Sequence, residues 1–487
     1  MTHEEQRIWL IEQLLAERSD ASDVKIPSEE QEQKDLLRGL MNSTKMNDKN
    51  ELFPRKGNPI MPMGVIDNMF PDPHIKIFIN PDTGKENMYV YVGHDEGIDK
   101  FIMRDWYVLF SEDLVHWQCK KTLERKNTYL PEDSVDCWAC DVVQSPWDGK
   151  YYLYYSNGGE STGVAVSDRP DGPFTDAHGK KPILPKGITP TNSYDPDVIL
   201  PDEEDGRAWI VFGSDWTDHY WAMQLNENMI DVVPGTARKV PVYPDEHTKQ
   251  ELTGVLRSDQ AEAFRYGSTW YLYWAGRYAT SKDRLGPYIF RGNIGADIPH
   301  YPDGRAFIDH GSFLEWNGQW YYAVSSGQKS WSFRQTWLMY LHVCDDGTLM
   351  FDEEIRQYGV GQYYAGWEKI QAEWYIKIDK PYVRKVELFE DGKHGGFAIS
   401  QETGTYRAVY PHVYGMQEDM EMTFLMKGEA GSRISVLVDG TEAGSLELPQ
   451  KLARFEEVSV HLHNDAGEHE ITLRMTGCMT IDWFRFT

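Results

Sequence analysis

One pattern narrows the fold more than any other: an aromatic-rich strand, preceded by a short polar turn, returns five times. It reads Met88-Tyr89-Val90-Tyr91-Val92-Gly93, then Tyr151-Tyr152-Leu153-Tyr154-Tyr155-Ser156, then Trp209-Ile210-Val211-Phe212-Gly213-Ser214. It comes back as Trp270-Tyr271-Leu272-Tyr273-Trp274-Ala275 and Trp320-Tyr321-Tyr322-Ala323-Val324-Ser325. The steps from Tyr89 to Tyr151, Trp209, Tyr271 and Tyr321 are 62, 58, 62 and 50 residues. Hairpins repeating at that period are the mark of a radial array of β-sheets. The expected fold is all-β: a five-bladed β-propeller, which gathers residues from distant parts of the chain at one central funnel.

The 487 residues are enough for two or three domains. The 17 Trp and 28 Tyr suit β cores, and aromatic faces also stack on sugars. A formal net charge of −28 argues against nucleic-acid and anionic-membrane partners, both of which need basic surfaces. No apolar run approaches the roughly 20 residues that span a bilayer. Met1-Thr2-His3-Glu4-Glu5 has no basic stretch leading into an apolar one, so no secretory signal is read. The five cysteines are odd in number and sparse, as reduced thiols are. Together these predict a cytoplasmic protein. Cys137-x-x-Cys140 lacks the second pair that a zinc site needs, and is read as structural.

Residues 1–55 carry helical stripes (Ile8, Leu10, Ile11, Leu14, Leu15) and are expected to form a short helical extension. Residues 56–378 are hairpins with Asp-Gly, Asn-Gly and Gly-Ser turns. Three secondary motifs, beginning at Ser111, Ser167 and Ser281, are expected to be outer strands of successive blades. From 379 to 487 the aromatic beat stops and short alternating strands predict a jelly-roll-like β-sandwich.

Three acidic motifs stand near the inner strands of different blades: Asp72-Pro73, Asp195-Pro196-Asp197 and Asp259-Gln260-Ala261-Glu262. A lone Asp-Pro is ordinary at a strand entry, because Asp accepts turn hydrogen bonds and Pro needs no N–H partner. Two of them before apolar strands of a propeller suggest chemistry. Inverting hydrolysis of a glycosidic bond needs a carboxylate that activates water and a protonated acid that serves the leaving oxygen, about 6.5–9.5 Å apart. A third carboxylate raises the acid's pKa by repulsion.

Asp72-Pro73, Cys137-Trp138-Ala139, Asp195-Pro196-Asp197-Val198 and His310-Gly311-Ser312-Phe313, together with the aromatic beats, resemble glycoside hydrolase family 43 over about residues 58–375. The resemblance implies an inverting exo-glycosidase that removes α-L-arabinofuranosyl or β-D-xylosyl units from plant hemicellulose or pectin oligosaccharides. It implies Asp72 as general base and Asp195 as modulator of the acid. It implies Arg334 as a substrate contact, and His310 as a funnel histidine that helps hold a water or a structural calcium; no cofactor is required. Trp138 is a candidate for stacking on a sugar, with a buried blade tryptophan as the plain alternative. His94-Asp95 is placed either at the funnel mouth or in a solvent-facing turn. Thr405–Tyr410, Val438-Asp439-Gly440 and the closing Ile481-Asp482-Trp483-Phe484 resemble family 6 carbohydrate-binding modules.

At the general acid the sequence departs from the family. Gln260 fills the Glu slot, followed by a turn one residue shorter. Three readings stay open. Gln260 is an introduced replacement of a natural Glu; or Glu262, two positions along the same strand face, is the acid; or the chain is a catalytically silent sugar-binding propeller. Asp259 fits the slot if the turn is counted without a gap, but it would face the other way from Gln260. A protein-interaction propeller is a further rival. A retaining mechanism is disfavoured by the absence of a Trp-x-Asn-Asp-Pro motif.

Overall fold

The structure, a computed structural model, describes residues 57–60, 69–97, 100–213, 220–244, 260–294, 308–327, 334–352, 355–390 and 393–487. The helical extension expected over 1–55 and Asp259 lie outside them. The described residues form two compact units, the first made of 59–314 and 322–337, the second of 57–58, 315–321 and 338–487.

The first unit is built from antiparallel meanders. The first sheet runs β1 (His74–Ile79), β2 (Glu86–Val92), β3 (Asp105–Ser111), β4 (Gln118–Glu124). The second runs β5 (Cys137–Gln144), β6 (Tyr151–Asn157), β7 (Ser161–Ser167), β8 (Thr175–Asp176). The third is β9 (Asp197–Ile199), β10 (Ala208–Phe212), β11 (Tyr220–Leu225), β12 (Arg238–Val240). In the fourth, β13 (Val242–Tyr243) pairs in parallel with the last strand of the meander β14 (Glu262–Tyr266), β15 (Thr269–Trp274), β16 (Arg277–Ser281), β17 (Tyr288–Asn293). A fifth meander, β18 (Ile308–Trp316), β19 (Gln319–Gly327), β20 (Arg334–Val343), β21 (Leu349–Phe351), carries residues of both units.

Each aromatic beat is the second strand of its sheet. A strand covered on both faces reads as a near-continuous apolar run, and β2, β6, β10 and β15 are buried along almost their whole length. The cores lie between successive sheets. Tyr89, Tyr91 and Trp106 pack with Leu153 and Tyr155; Tyr152 and Tyr154 pack with Ile210 and Phe212; Trp209 and Tyr220 pack with Leu272 and Trp274. Each fully buried large side chain contributes about 1.5–3 kcal/mol.

The first strands are also tied to one another, sheet by sheet, in a closed circuit. His74 Nδ1 on β1 lies 3.1 Å from Asp141 Oδ1 on β5, and Lys76 Nζ lies 2.8 Å from the same oxygen. The N–H of Val198 on β9 donates to Asp141 Oδ2 at 2.9 Å, and that of Ala263 on β14 to Asp197 Oδ2 at 3.0 Å. On β18, Ser312 Oγ and the Phe313 N–H donate to Glu262 Oε1 at 2.9 and 2.7 Å. The Ile75 N–H of β1 closes the ring on Ser312 Oγ at 3.0 Å.

The three secondary motifs are not outer strands but the turns that lead into them, between β3 and β4, β7 and β8, and β16 and β17. Their Ser and Asp side chains accept from the turn backbone instead of standing on a pleat. Ser111 Oγ takes Leu114 N at 2.9 Å, Asp113 Oδ1 takes His116 N at 2.8 Å, and Asp283 Oδ1 takes Leu285 N at 2.9 Å.

The second unit contains two six-stranded sheets. One orders β22 (Tyr363–Tyr364), β27 (Thr405–Met416), β32 (Gly467–Thr476), β29 (Arg433–Val438) and β30 (Thr441–Glu447), with β24 (Lys377–Ile378) also on β27. The other orders β25 (Val383–Glu390), β26 (Lys393–Gln401), β33 (Met479–Phe486), β28 (Glu421–Gly428) and β31 (Leu452–His461), with β23 (Ile370–Gln371) on β33. The expected boundary at 378/379 therefore falls too late. Residues 363–378 already pair with sandwich strands, and Ala372 and Trp374 are buried there. All five cysteines are free.

Candidate active site

Asp72 and Asp195 each stand directly before a proline at the entry of a first strand. Both have left-handed backbone, with φ of 58° and 52°. Aspartate is one of the few non-glycine residues that visit this region, and holding it there costs about 1–3 kcal/mol, which the surroundings must supply. The Phe70 carbonyl accepts from Thr336 Oγ1 at 2.6 Å and the Pro71 carbonyl from Gly93 N at 3.0 Å. The Asp195 N–H donates to Ser156 Oγ at 2.9 Å, and the Tyr194 carbonyl accepts from Gly213 N at 2.9 Å.

These entries bring the two carboxylates to opposite edges of one imidazole. His310 Nδ1 lies 3.6 Å from Asp72 Oδ1, and its Nε2 lies 3.7 Å from Asp195 Oδ2. Both aspartates and the histidine are buried. Arg334, at the start of β20, forks onto Asp72 with Nη1 to Oδ1 at 2.6 Å and Nη2 to Oδ2 at 3.0 Å. The same side chain donates from Nε to Asp95 Oδ2 at 3.1 Å and from Nη1 to Asp309 Oδ2 at 3.3 Å. Burial alone would lower the Arg334 pKa, but Asp72, Asp95 and Asp309 hold it well above its ordinary value. For Asp95 burial outweighs Arg334 and pushes the carboxyl up to about 7.

Of the proposed mouth residues, Asp95 is buried rather than in a solvent-facing turn, and His94 is half-buried between Phe70 and Tyr107, with ring centroids 5.4 and 5.1 Å away. Trp138 is half-buried and meets Phe101 and Tyr194 edge-on, at 5.4 and 6.5 Å. Phe101 in turn lies under the Arg334 guanidinium, 4.8 Å from its Cζ. Phe101, Trp138 and Tyr194 thus form an aromatic wall linking Arg334 to the Asp195 entry.

Gln260 and Glu262 occupy different surroundings. Gln260 is buried, with its amide nitrogen against His74 Nε2 and its amide oxygen without a hydrogen-bond partner. His74 Nδ1 faces Asp141 Oδ1 at 3.1 Å and Glu262 Oε2 at 3.6 Å. Burial holds the His74 pKa below its ordinary value. A neutral ring that accepts from an amide on Nε2 carries its proton on Nδ1, toward Asp141. Glu262 spends Oε1 on the link to Ser312 and Phe313. Burial, then Asp197, raises its carboxyl well above the ordinary range. Burial, then Asp141, pushes Asp197 up to about 7. Asp141 is the reverse case: burial opposes its charge, but Lys76 and His74 hold it below the ordinary range. Lys76, despite burial, is held above its ordinary value by Asp141, Glu262 and Asp197.

The residues around His310 fit a calcium ion poorly. Asp72, Asp309 and His310 offer three ligand atoms within 4.8 Å of one another. Calcium takes about 6–8 oxygens, whereas here both Asp72 oxygens and one Asp309 oxygen already accept from the Arg334 guanidinium.

Four residues of this constellation were not assigned a part from sequence: His74, Asp141, Asp309 and Phe101. His74 had a signal, since it follows Asp72 by two positions. Asp309 stands directly before His310. Asp141 and Phe101 had none of their own.

Residues 64–277 match Glycosyl hydrolases family 43. A xylosidase/arabinosidase from Bacteroides ovatus is 26% identical over 333 residues, covering 58% of this chain and 93% of that protein. An arabinoxylan arabinofuranohydrolase from Paenibacillus polymyxa is 23% identical over 475 residues, covering 85% of this chain and 71% of its own. The solved arabinoxylan arabinofuranohydrolase from Bacillus subtilis in complex with cellotetraose is 17% identical, covers 89% of this chain and 97% of that one, and superposes with a TM-score of 0.48. The matched stretch supplies Asp72, Asp195, Gln260 and Glu262.

Proposed function

We propose that this chain is an inverting exo-glycosidase built on a five-bladed propeller, which releases α-L-arabinofuranosyl or β-D-xylosyl units from hemicellulose-type oligosaccharides. The names of the relatives support the substrate class. The closed circuit of first strands supports the propeller. The observation that carries the chemistry is the meeting of Asp72 and Asp195 across His310. Asp72, oriented by the Arg334 fork, takes a proton from the attacking water. Asp195 faces the sugar from the other side, where it would orient an acid at position 260. The aromatic wall of Phe101, Trp138 and Tyr194 positions the ring. Position 260 is the acid slot: it abuts His74 beside the site, whereas Glu262 is engaged in joining two sheets.

With Gln at 260 the chain has no acid there, because an amide donates hydrogen bonds but not a proton. A 4-nitrophenolate leaving group needs little protonation, while a sugar alkoxide needs much. Release of 4-nitrophenol from the arabinofuranoside and xyloside is therefore expected to be measurable and xylo-oligosaccharide cleavage very slow, with Gln260→Glu accelerating the latter. Asp72→Asn abolishes both. Undiminished turnover in Asp72→Asn would overturn the proposal. A second reading, sugar binding without turnover, is favoured by Gln260 alone, and is the outcome if Gln260→Glu gains no activity. We assign the sandwich a family 6-like carbohydrate-binding role, supported by Tyr382, 53% exposed and stacked on Tyr406 at 4.6 Å.

A further inference from the structure

The first unit has an open cleft far from the carboxylates, and we propose that it holds a stretch of neutral β-linked xylo-oligosaccharide. The cleft has a volume of about 460 Å³ and is lined by Trp147, Arg207, Gln224, Asn226 and Glu227, among others. Asp72, Asp195 and Gln260 stand ahead of β1, β9 and β14, so the reacting pit lies at the N-terminal ends of the first strands. Trp147 sits in the turn that follows β5, Arg207 in the turn between β9 and β10, and Asn226 in the turn that follows β11. All three turns lie at the opposite end of their sheets. The cleft is therefore a separate place, between the second and third sheets.

Its parts are fixed before any ligand arrives. The Trp147 and Asp148 N–H groups donate to Ser145 Oγ at 3.2 and 3.3 Å, and Tyr152 Oη donates to Asp148 Oδ2 at 2.7 Å. That pins the turn while leaving Trp147 37% exposed. Arg207 is clamped by Asp205, with Nε to Oδ1 at 2.7 Å, and lies 5.1 Å over the Trp209 ring. The side-chain amides of Gln224 and Asn226 are half-buried, and neither makes a hydrogen bond among the described residues. Two idle amides beside an indole suit a sugar: the amides match neighbouring hydroxyls, and the ring covers the C–H face. An acidic ligand is disfavoured, since the cleft's one cation is already paired with Asp205 and Glu227 is exposed at its edge. A volume of this size lies in the range of ordinary ligand sites, about 300–1,000 Å³.

The choice of sugar rests on the function proposed above; the existence of the site does not. The test is calorimetric titration of Asp72→Asn protein with xylohexaose, so that no probe is consumed, with and without Trp147→Ala or Asn226→Ala. Binding that depends on Trp147 is expected, weakened about tenfold or more by either substitution. In the otherwise unaltered chain, Trp147→Ala should leave 4-nitrophenyl glycoside hydrolysis within about twofold, since a twofold change is under 0.5 kcal/mol. Identical isotherms for all three proteins overturn the proposal, even when hydrolysis is intact. Trp147-dependent binding in a chain that hydrolyses nothing upholds the cleft and overturns the hydrolase reading instead.

Discussion

In the proposed mechanism Gln260 offers an amide at the position of the acid, and its side chain is held against His74. Replacing it with Glu is expected to raise kcat on unactivated xylo-oligosaccharides by about 10²–10⁴, the usual worth of general acid catalysis. Turnover against pH should then acquire a basic limb that the Gln260 chain lacks. Arg334→Lys keeps the charge but loses the fork on Asp72. It should lower kcat more than it raises KM, because an orientation realised in the reaction is lost rather than uniform binding. That Asp72 and Asp195 would meet was legible because an Asp-Pro before an apolar strand is a compact motif that recurs at two blade entries. The part played by His74 was not, although it lies in the same motif. Its partners Asp141 and Gln260 come from other sheets, and no local pattern records where those sheets meet.

At the level of strands and sheets, single side chains carry the joints between neighbours. Asp141 joins three of them through His74, Lys76 and Val198. Asp141→Ala leaves the half-buried Lys76 without its nearest counter-charge and the Val198 N–H without its acceptor, and should destabilise the chain by about 3 kcal/mol, read from denaturant unfolding. The joints also set a pH dependence. The folded pKa values of Asp95 and Asp197 are about 7, raised from 3.8. Between those values the native state binds more protons than the unfolded one, so stability falls as pH rises through the window and levels off above it. Melting temperature should decline from pH 5 to pH 7.5, and Asp197→Asn should make the decline shallower. The aromatic beats were readable as strands because an apolar run buried on both faces has few other uses. The motifs beginning at Ser111, Ser167 and Ser281 resemble strands in sequence but fold as turns, because their Ser and Asp side chains bond to the turn's own backbone.

Over the whole molecule, the sandwich does not begin where its sequence pattern does. β22, β23 and β24 precede residue 379 and pair with β27 and β33. A chain cut after 378 would strip Ile370, Trp374 and Ile378 of the strands that cover them. It is expected to aggregate or to unfold without a cooperative transition, which scanning calorimetry would show against the intact protein. The periodicity could not reveal this, because two-residue strands leave no alternation to detect. The ring of first strands has one more effect, on order of assembly. Its final joint ties Ile75 to Ser312, 237 positions later, and the fork that orients Asp72 arrives from Arg334, 262 positions later. On the ribosome, Asp72 emerges long before either latch has been translated, so a nascent chain that ends before Ser312 has neither the closed ring nor the fork that holds its carboxylate.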